Sequence, residues 1–123
     1  MSEKKLSIDS RVSLSDGNSM PLLGLGTWAA QPGGETRDAV AFALETGYRH
    51  IDTAKMYGNE QDVGEAVRQS SIPRQEIFVT TKLWDSDQGY QSAHDAFDRS
   101  MDQLGLEYID LYLIHWPVEK LRN

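Results

Sequence analysis

Gly47-Tyr-Arg-His-Ile-Asp-Thr-Ala-Lys-Met-Tyr-Gly-Asn-Glu60 is the stretch that decides the fold. Gly47 ends a helical run, because glycine takes the left-handed conformation that closes helices. His50 to Thr53 then read as a short strand. Asp52 and Tyr57 sit at and beyond its exit, ahead of a new helix that Asn59 can cap, with Asp62 three residues on.

The same grammar repeats on both sides of this stretch. Upstream, Leu22 to Trp28 is a short apolar run that reads as a first buried strand, and Pro32-Gly33-Gly34 breaks it. Glu35 to Thr46 has helical spacing, with Val40, Ala43 and Leu44 on one face. Downstream, Val63, Ala66 and Val67 form the inward face of the next helix, which Pro73 stops. Ile77 to Lys82 is an apolar, β-branched strand. A loop with Trp84 and Gly89 follows, and then Ala93, Phe97, Met101 and Leu104 give a helical stripe ended by Gly105. Tyr108 to His115 is apolar almost throughout, as a parallel strand covered on both faces would be. Before all of these, the alternation of Leu6, Ile8, Val12 and Leu14, the turn at Ser15-Asp16-Gly17-Asn18 and the run from Met20 to Leu23 predict a β-hairpin. Residues 1–5 are polar and expected to be loose.

Strands recur roughly every 25 to 32 residues with one helix between each pair, the β-α repeat of parallel α/β folds. Four such units make half of an eight-fold (β/α)8 TIM barrel, which typically needs about 250 residues. The chain of 123 residues is long enough for one domain with a single core, and no linker divides it. Its net charge of -7 argues against nucleic-acid and anionic-membrane partners. The absence of cysteine excludes a disulfide framework and a thiolate zinc site, and fits a reducing compartment. With no apolar signal core and no membrane-length apolar run, a cytoplasmic location is expected. No histidines and carboxylates have metal-ligand spacing, so no metal is expected.

Three ionisable side chains close strands: Asp52, Lys82 and His115. Alone, each has an ordinary reading: a turn aspartate, a solvated lysine, a hydrogen-bonded core histidine, and for Tyr57 a partly buried loop aromatic. Their shared position changes this, since the C-terminal ends of parallel strands are where barrels and open α/β sheets keep their sites. A lysine on a buried strand needs a carboxylate, and Asp52 on the adjacent strand is the natural partner. Tyr57 can then place its hydroxyl against the ammonium, which stabilises phenolate and makes the phenol a workable general acid. His115 can orient a carbonyl oxygen that gains negative charge. The matching reaction is hydride delivery to a carbonyl carbon from a nicotinamide.

Longer words of the sequence carry a resemblance. Met20-Pro-Leu-Leu-Gly-Leu-Gly-Thr-Trp28, the stretch Gly47 to Glu60, Thr81-Lys-Leu-Trp84, and Asp110-Leu-Tyr-Leu-Ile-His-Trp-Pro117 occur in an order and spacing that resemble the N-terminal half of the aldo-keto reductases. The likeness runs from about Leu6 to Val118. It implies that Asp52, Tyr57, Lys82 and His115 form a catalytic tetrad with Tyr57 as proton donor, and that the activity is NADPH-dependent reduction of an aldehyde or ketone to an alcohol. It puts Gly26, Thr27, Trp28 and Asp52 on the cofactor side. Trp28, Tyr57, Trp84, His115 and Trp116 line the pocket of a small-molecule carbonyl substrate.

The resemblance also implies a single domain, residues 1–123, truncated after the fourth barrel strand, with most cofactor-holding groups outside it. The half-chain alone is then expected to be weak or inactive. The alternative is a non-catalytic fragment or isoform that self-associates or binds a partner through open sheet edges. Gly24-Leu-Gly-Thr-Trp-Ala29 also fits a dinucleotide-binding fingerprint. That motif opens directly into a helix, whereas Pro32 to Gly34 intervene here, so Gly24 and Gly26 are read as letting the first strand pack closely. His50 is expected to be structural, and His94 solvated on a polar helix face.

Overall fold

The computed structural model describes residues 5–118. The loose N-terminus expected at residues 1–5 falls outside them except for Lys5.

A hairpin comes first, with β1 (Arg11–Ser13) antiparallel to β2 (Ser19–Pro21). Gly17, at φ 90, supplies the left-handed turn residue, and the Asp16 carboxylate accepts the Asn18 amide at 2.9 Å. The hairpin is shorter than the alternation from Leu6 predicts. Ser7 to Ser10 form a turn instead, in which the Ser7 amide donates to the Ser10 hydroxyl at 2.8 Å. Serine side chains offer the backbone partners that compete with a ladder.

Four strands and three helices follow in alternation: β3 (Gly24–Gly26), α1 (Gly34–Thr46), β4 (His50–Asp52), α2 (Glu60–Gln69), β5 (Phe78–Leu83), α3 (Tyr90–Leu104) and β6 (Leu111–Ile114). The sheet order is β3-β4-β5-β6, and every pairing is parallel. This is the arrangement expected of half a (β/α)8 barrel. Gly47 caps α1 in the left-handed conformation, as its place in the sequence predicts.

The core lies between the helices and one face of the sheet. Val40 and Leu44 from α1, Val63, Ala66 and Val67 from α2, and Leu104 from α3 meet Ile51 and Val79. Each valine, leucine and isoleucine among them contributes about 1.5–3 kcal/mol by leaving water. Because side chains alternate along a strand, burying Ile51 and Val79 turns His50, Asp52, Phe78, Thr80 and Lys82 to the opposite face. Contacts there agree with this alternation: His50 Nε2 lies 2.9 Å from Thr80 Oγ1 and its ring meets Phe78 edge-on.

Three expectations are corrected. The first strand of the sheet is three residues long, and Gly24 and Gly26 are exposed, so its run is not buried throughout. Gly24 does permit close approach, since a Cβ there would lie 3.0 Å from His50 Cγ, but a Cβ on Gly26 would meet nothing within 4 Å. The fourth strand is not covered on both faces: Leu113 is 40% and Ile114 63% exposed. An apolar run looks alike at an edge and in the middle of a sheet. The buried row of α3 is Ala96, Ser100 and Leu104, while Ala93, Phe97 and Met101 are half-buried. Close contact with α2 selects the small residues, and Phe97 packs sideways on Tyr112 with ring centroids 5.3 Å apart. No helix among the described residues is long and apolar enough to cross a membrane.

Candidate active site

Asp52 is the last residue of β4, Lys82 the last but one of β5, and His115 follows β6 directly. In a parallel sheet these ends share one rim. Tyr57 reaches the same rim from a short 3-10 turn, Lys55–Tyr57, which Gly58 closes in the left-handed conformation.

Lys82 lies at the centre. Its Nζ donates to Asp52 Oδ2 at 2.7 Å and to the Thr53 carbonyl at 2.9 Å. It stands 3.4 Å from the Tyr57 hydroxyl and 5.0 Å from the centre of the phenol ring. The Tyr57 and His115 rings meet edge-on, with centroids 5.7 Å apart. The Lys82 side chain is 13% and that of Asp52 33% exposed, so the pair sits partly out of water, where its attraction exceeds that of a surface pair. Nδ1 of His115 is buried with no hydrogen-bond partner among the described residues. Carboxylate, phenol, ammonium and imidazole therefore converge, and the phenol hydroxyl stands beside a fixed cation.

The tryptophans divide. Trp84 meets His115 edge-on at 5.3 Å and Trp116 stacks on it at 6.2 Å. Gln88 fixes the Trp116 segment, donating to its carbonyl at 2.6 Å. Trp28 stands apart, 72% exposed, in the turn after β3. Gly26 pairs in register with Asp52 and leaves open space above the rim. Thr27 is buried, and its hydroxyl donates to the Asp52 carbonyl at 2.9 Å. Gly26, Trp28 and Ala29 are the exposed residues around this turn.

His50 lies on the same sheet face one turn of the pleat below Asp52. Its Nδ1 is 3.4 Å from the Pro21 carbonyl, and the neutral ring satisfies both contacts by donating there and accepting from Thr80. Burial pushes its pKa below the ordinary 6.5, against the opposing pull of the Pro21 carbonyl, Asp52 and Asp110. Its role is structural, as expected, and His94 is exposed on α3. Outside the site, burial raises the Tyr112 phenol to about 12, helped by Glu60 and Asp87.

Two features escape local reading. Asn59 occupies the N-cap position of α2 yet makes no side-chain cap bond. Its amide instead donates to the carbonyls of Thr27 at 2.9 Å and Ala30 at 3.3 Å. Lys55 donates to Asp87 at 2.9 Å, across 32 positions of sequence, and Arg99 approaches the same carboxylate at 3.6 Å. The only local signal for Asn59 is its place in the stretch from Gly47 to Glu60, and there the capping rule points the wrong way.

The model of the Aldo/keto reductase family matches residues 22–122. The 9,11-endoperoxide prostaglandin H2 reductase of Trypanosoma cruzi (strain CL Brener) is 60% identical over 109 residues, which cover 89% of this chain and 38% of that protein. An aldo-keto reductase of Mycolicibacterium smegmatis (strain ATCC 700084 / mc(2)155) is 56% identical over 108 residues, 88% of this chain and 39% of that one. The crystal structure of an aldo/keto reductase from Brucella melitensis superposes with a TM-score of 0.87 at 53% identity, covering 94% of this chain and 44% of that chain. The chain therefore spans about two fifths of the length of these relatives.

Proposed function

Because this chain belongs to the aldo/keto reductase family, we propose that the protein reduces an aldehyde or ketone to the alcohol, with NADPH as hydride source and Tyr57 as proton donor. One observation carries the reading: a single ammonium, Lys82 Nζ, lies 2.7 Å from Asp52 and 3.4 Å from the Tyr57 hydroxyl.

A carbonyl oxygen bound above the rim sits between the phenol and His115. Tyr57 gives its proton to that oxygen as negative charge develops, and the Lys82 ammonium stabilises the phenolate left behind. Asp52 holds Lys82 in place and keeps the local charge balanced. His115 orients the oxygen, while Trp84 and Trp116 beside it exclude water and favour an apolar or aromatic carbonyl compound. The chemistry a bound NADPH supplies is hydride to the carbonyl carbon.

The residues fit the reacting end of that cofactor: open backbone at Gly26 beside Asp52 and the exposed Trp28 indole suit a flat nicotinamide. Lys55 and Lys82 on this rim are both engaged by carboxylates. A second reading is favoured by the exposed Leu113 and Ile114 on edge strand β6: the chain acts by association through that edge and not by turnover.

NADPH oxidation with a small aromatic aldehyde tests this, in wild type and Tyr57→Phe. The expected result is wild-type turnover that falls by about 10²–10⁴ in the variant. Equal turnover overturns the reading. No turnover and no NADPH binding, with a dimer in sedimentation, supports the second.

A further inference from the structure

We propose that Asn59 is a positioning residue for this rim: it holds the Thr27–Ala30 turn, with Trp28 at its corner, in register with Tyr57 and Lys82. The inference rests on the reductase reading above and names the group that sets its geometry.

Asn59 is fully buried. The turn it grips is closed by the Ala30 amide donating to the Thr27 carbonyl at 3.1 Å. Asn59 Nδ2 donates to both ends of that turn, to Thr27 O and Ala30 O. Its Oδ1 accepts from the Thr53 hydroxyl at 2.7 Å; the Thr27 hydroxyl, whose proton goes to the Asp52 carbonyl, lies 3.4 Å away. Both amide donors and the carbonyl oxygen are in use, and no other side chain of this size offers that set. Aspartate would turn lone pairs toward two carbonyls, and serine could not span the gap.

A second, independent observation is the strain in the turn. Ala29 has φ 66, the only positive φ at a non-glycine residue among those described. A residue with a Cβ avoids that conformation, and it persists where surrounding contacts over-determine it. The Asn59 amide provides those contacts. The opposite side of the same amide leads to the reacting groups: Thr53, whose hydroxyl binds Asn59, accepts the Lys82 ammonium on its carbonyl at 2.9 Å. One buried side chain thus lies between the turn that presents Trp28 and the cation that faces Tyr57. The N-cap bond that an asparagine here could make is absent, which fits an amide committed to this span.

The experiment uses Asn59→Asp and Asn59→Ala in the full protein, with Tyr57→Phe alongside. Asn59→Asp keeps the contact accepted from Thr53 and loses the two donated ones; Asn59→Ala loses all three. The first readout is iodide quenching of Trp28 fluorescence in a Trp84→Phe, Trp116→Phe background, which needs neither cofactor nor turnover. The second is kcat and KM for aldehyde reduction across pH. Both Asn59 variants are expected to change the Trp28 quenching constant and to lower kcat between about tenfold and a hundredfold. The pH–rate profile keeps its shape, because Tyr57 and Lys82 remain. Unchanged quenching and unchanged kcat overturn the proposal, whether or not the melting temperature falls. Failure of both variants to fold also overturns it, since Asn59 would then serve stability alone. Wild-type turnover in Tyr57→Phe would remove the reductase reading by itself, and Trp28 quenching would still report on the turn.

Discussion

Lys55 Nζ donates to Asp87 Oδ2 at 2.9 Å, and this contact joins the turn that carries Tyr57 to the turn that follows β5. Phenol and ammonium belong to different β-α units, so their separation depends on ties of this kind. Asp87 is 14% exposed and also faces Arg99. Asp87→Asn keeps the size of the side chain and leaves two cations without their anion. Stability is expected to fall by about 1 kcal/mol, more at low salt than at high. The loosened Tyr57 turn should lower kcat more than it raises KM. Denaturant titrations at two salt concentrations, with steady-state kinetics, check both; an unchanged kcat would count against the tie.

The Asp52–Lys82 pair is asymmetric, and so are its deletions. Asp52→Ala leaves the more buried partner, Lys82, with only the Thr53 carbonyl and the phenol nearby. Lys82→Met leaves a carboxylate that is 33% exposed and can recruit water. Asp52→Ala should therefore cost about 2–3 kcal/mol of stability and Lys82→Met about 1 kcal/mol. Both should lower turnover by about 10² or more. Urea unfolding of the two variants decides the order, and a larger loss in Lys82→Met would contradict the burial argument.

Gly64 lies inside α2, where a Cβ would fall 1.9 Å from the Leu104 carbonyl oxygen. That oxygen also accepts a bond from Arg68, so it has no freedom to retreat. Gly64→Ala gains helix propensity but forces α2 and α3 apart. The expected net loss is about 3 kcal/mol, at the upper end for overpacking. Gln61→Ala, at an exposed position of the same helix, is the control and should be near neutral. Thermal unfolding of the two variants compares them directly.

His50 makes stability depend on pH. Burial holds its pKa below 6.5 in the folded protein, so folding disfavours its protonation. The contribution is fully present above about 6.5, the unfolded value, and is lost as pH falls through the lower folded value. Unfolding free energy should decline as pH falls from about 6.5 through the folded value, and His50→Gln should flatten that part of the curve. Parallel pH titrations of stability give the difference; identical slopes would remove His50 as the cause.

The rim of acid, base and aromatic groups was legible because each group sits at a strand exit, and strand exits can be read from where apolar, β-branched runs stop. Asp52, Lys82 and His115 needed nothing more. Tyr57 needed only the loop length after Asp52. Asn59 was not legible: its local signal is that of a helix cap, and the contacts that captured it come from a turn 29 to 32 positions away. Lys55 and Asp87 are ordinary surface charges until two turns meet. Gly64 reads as a weak point in a helix, and its reason is a carbonyl on another helix. The exposure of Leu113 and Ile114 does not follow from their apolar run, since hydrophobicity reports what a strand can bury and not which neighbours cover it.

What the chain's own order of residues determined was the alternation of strand and helix, the sharing of one rim by strand-end side chains, and membership of the aldo/keto reductase family. The first two follow from short-range physics: periodicity, glycine stops, and the handed, parallel crossover that puts successive strand ends together; the family follows from the match of longer sequence words. Tertiary structure alone decided that Lys82 binds Asp52 and Thr53 at once, that Asn59 turns away from its helix, and that Trp28 stands clear of Trp84 and Trp116. The reason is that hydrogen-bond partners and close approaches are chosen among groups distant in sequence, whose distances exist only once the strands are in register.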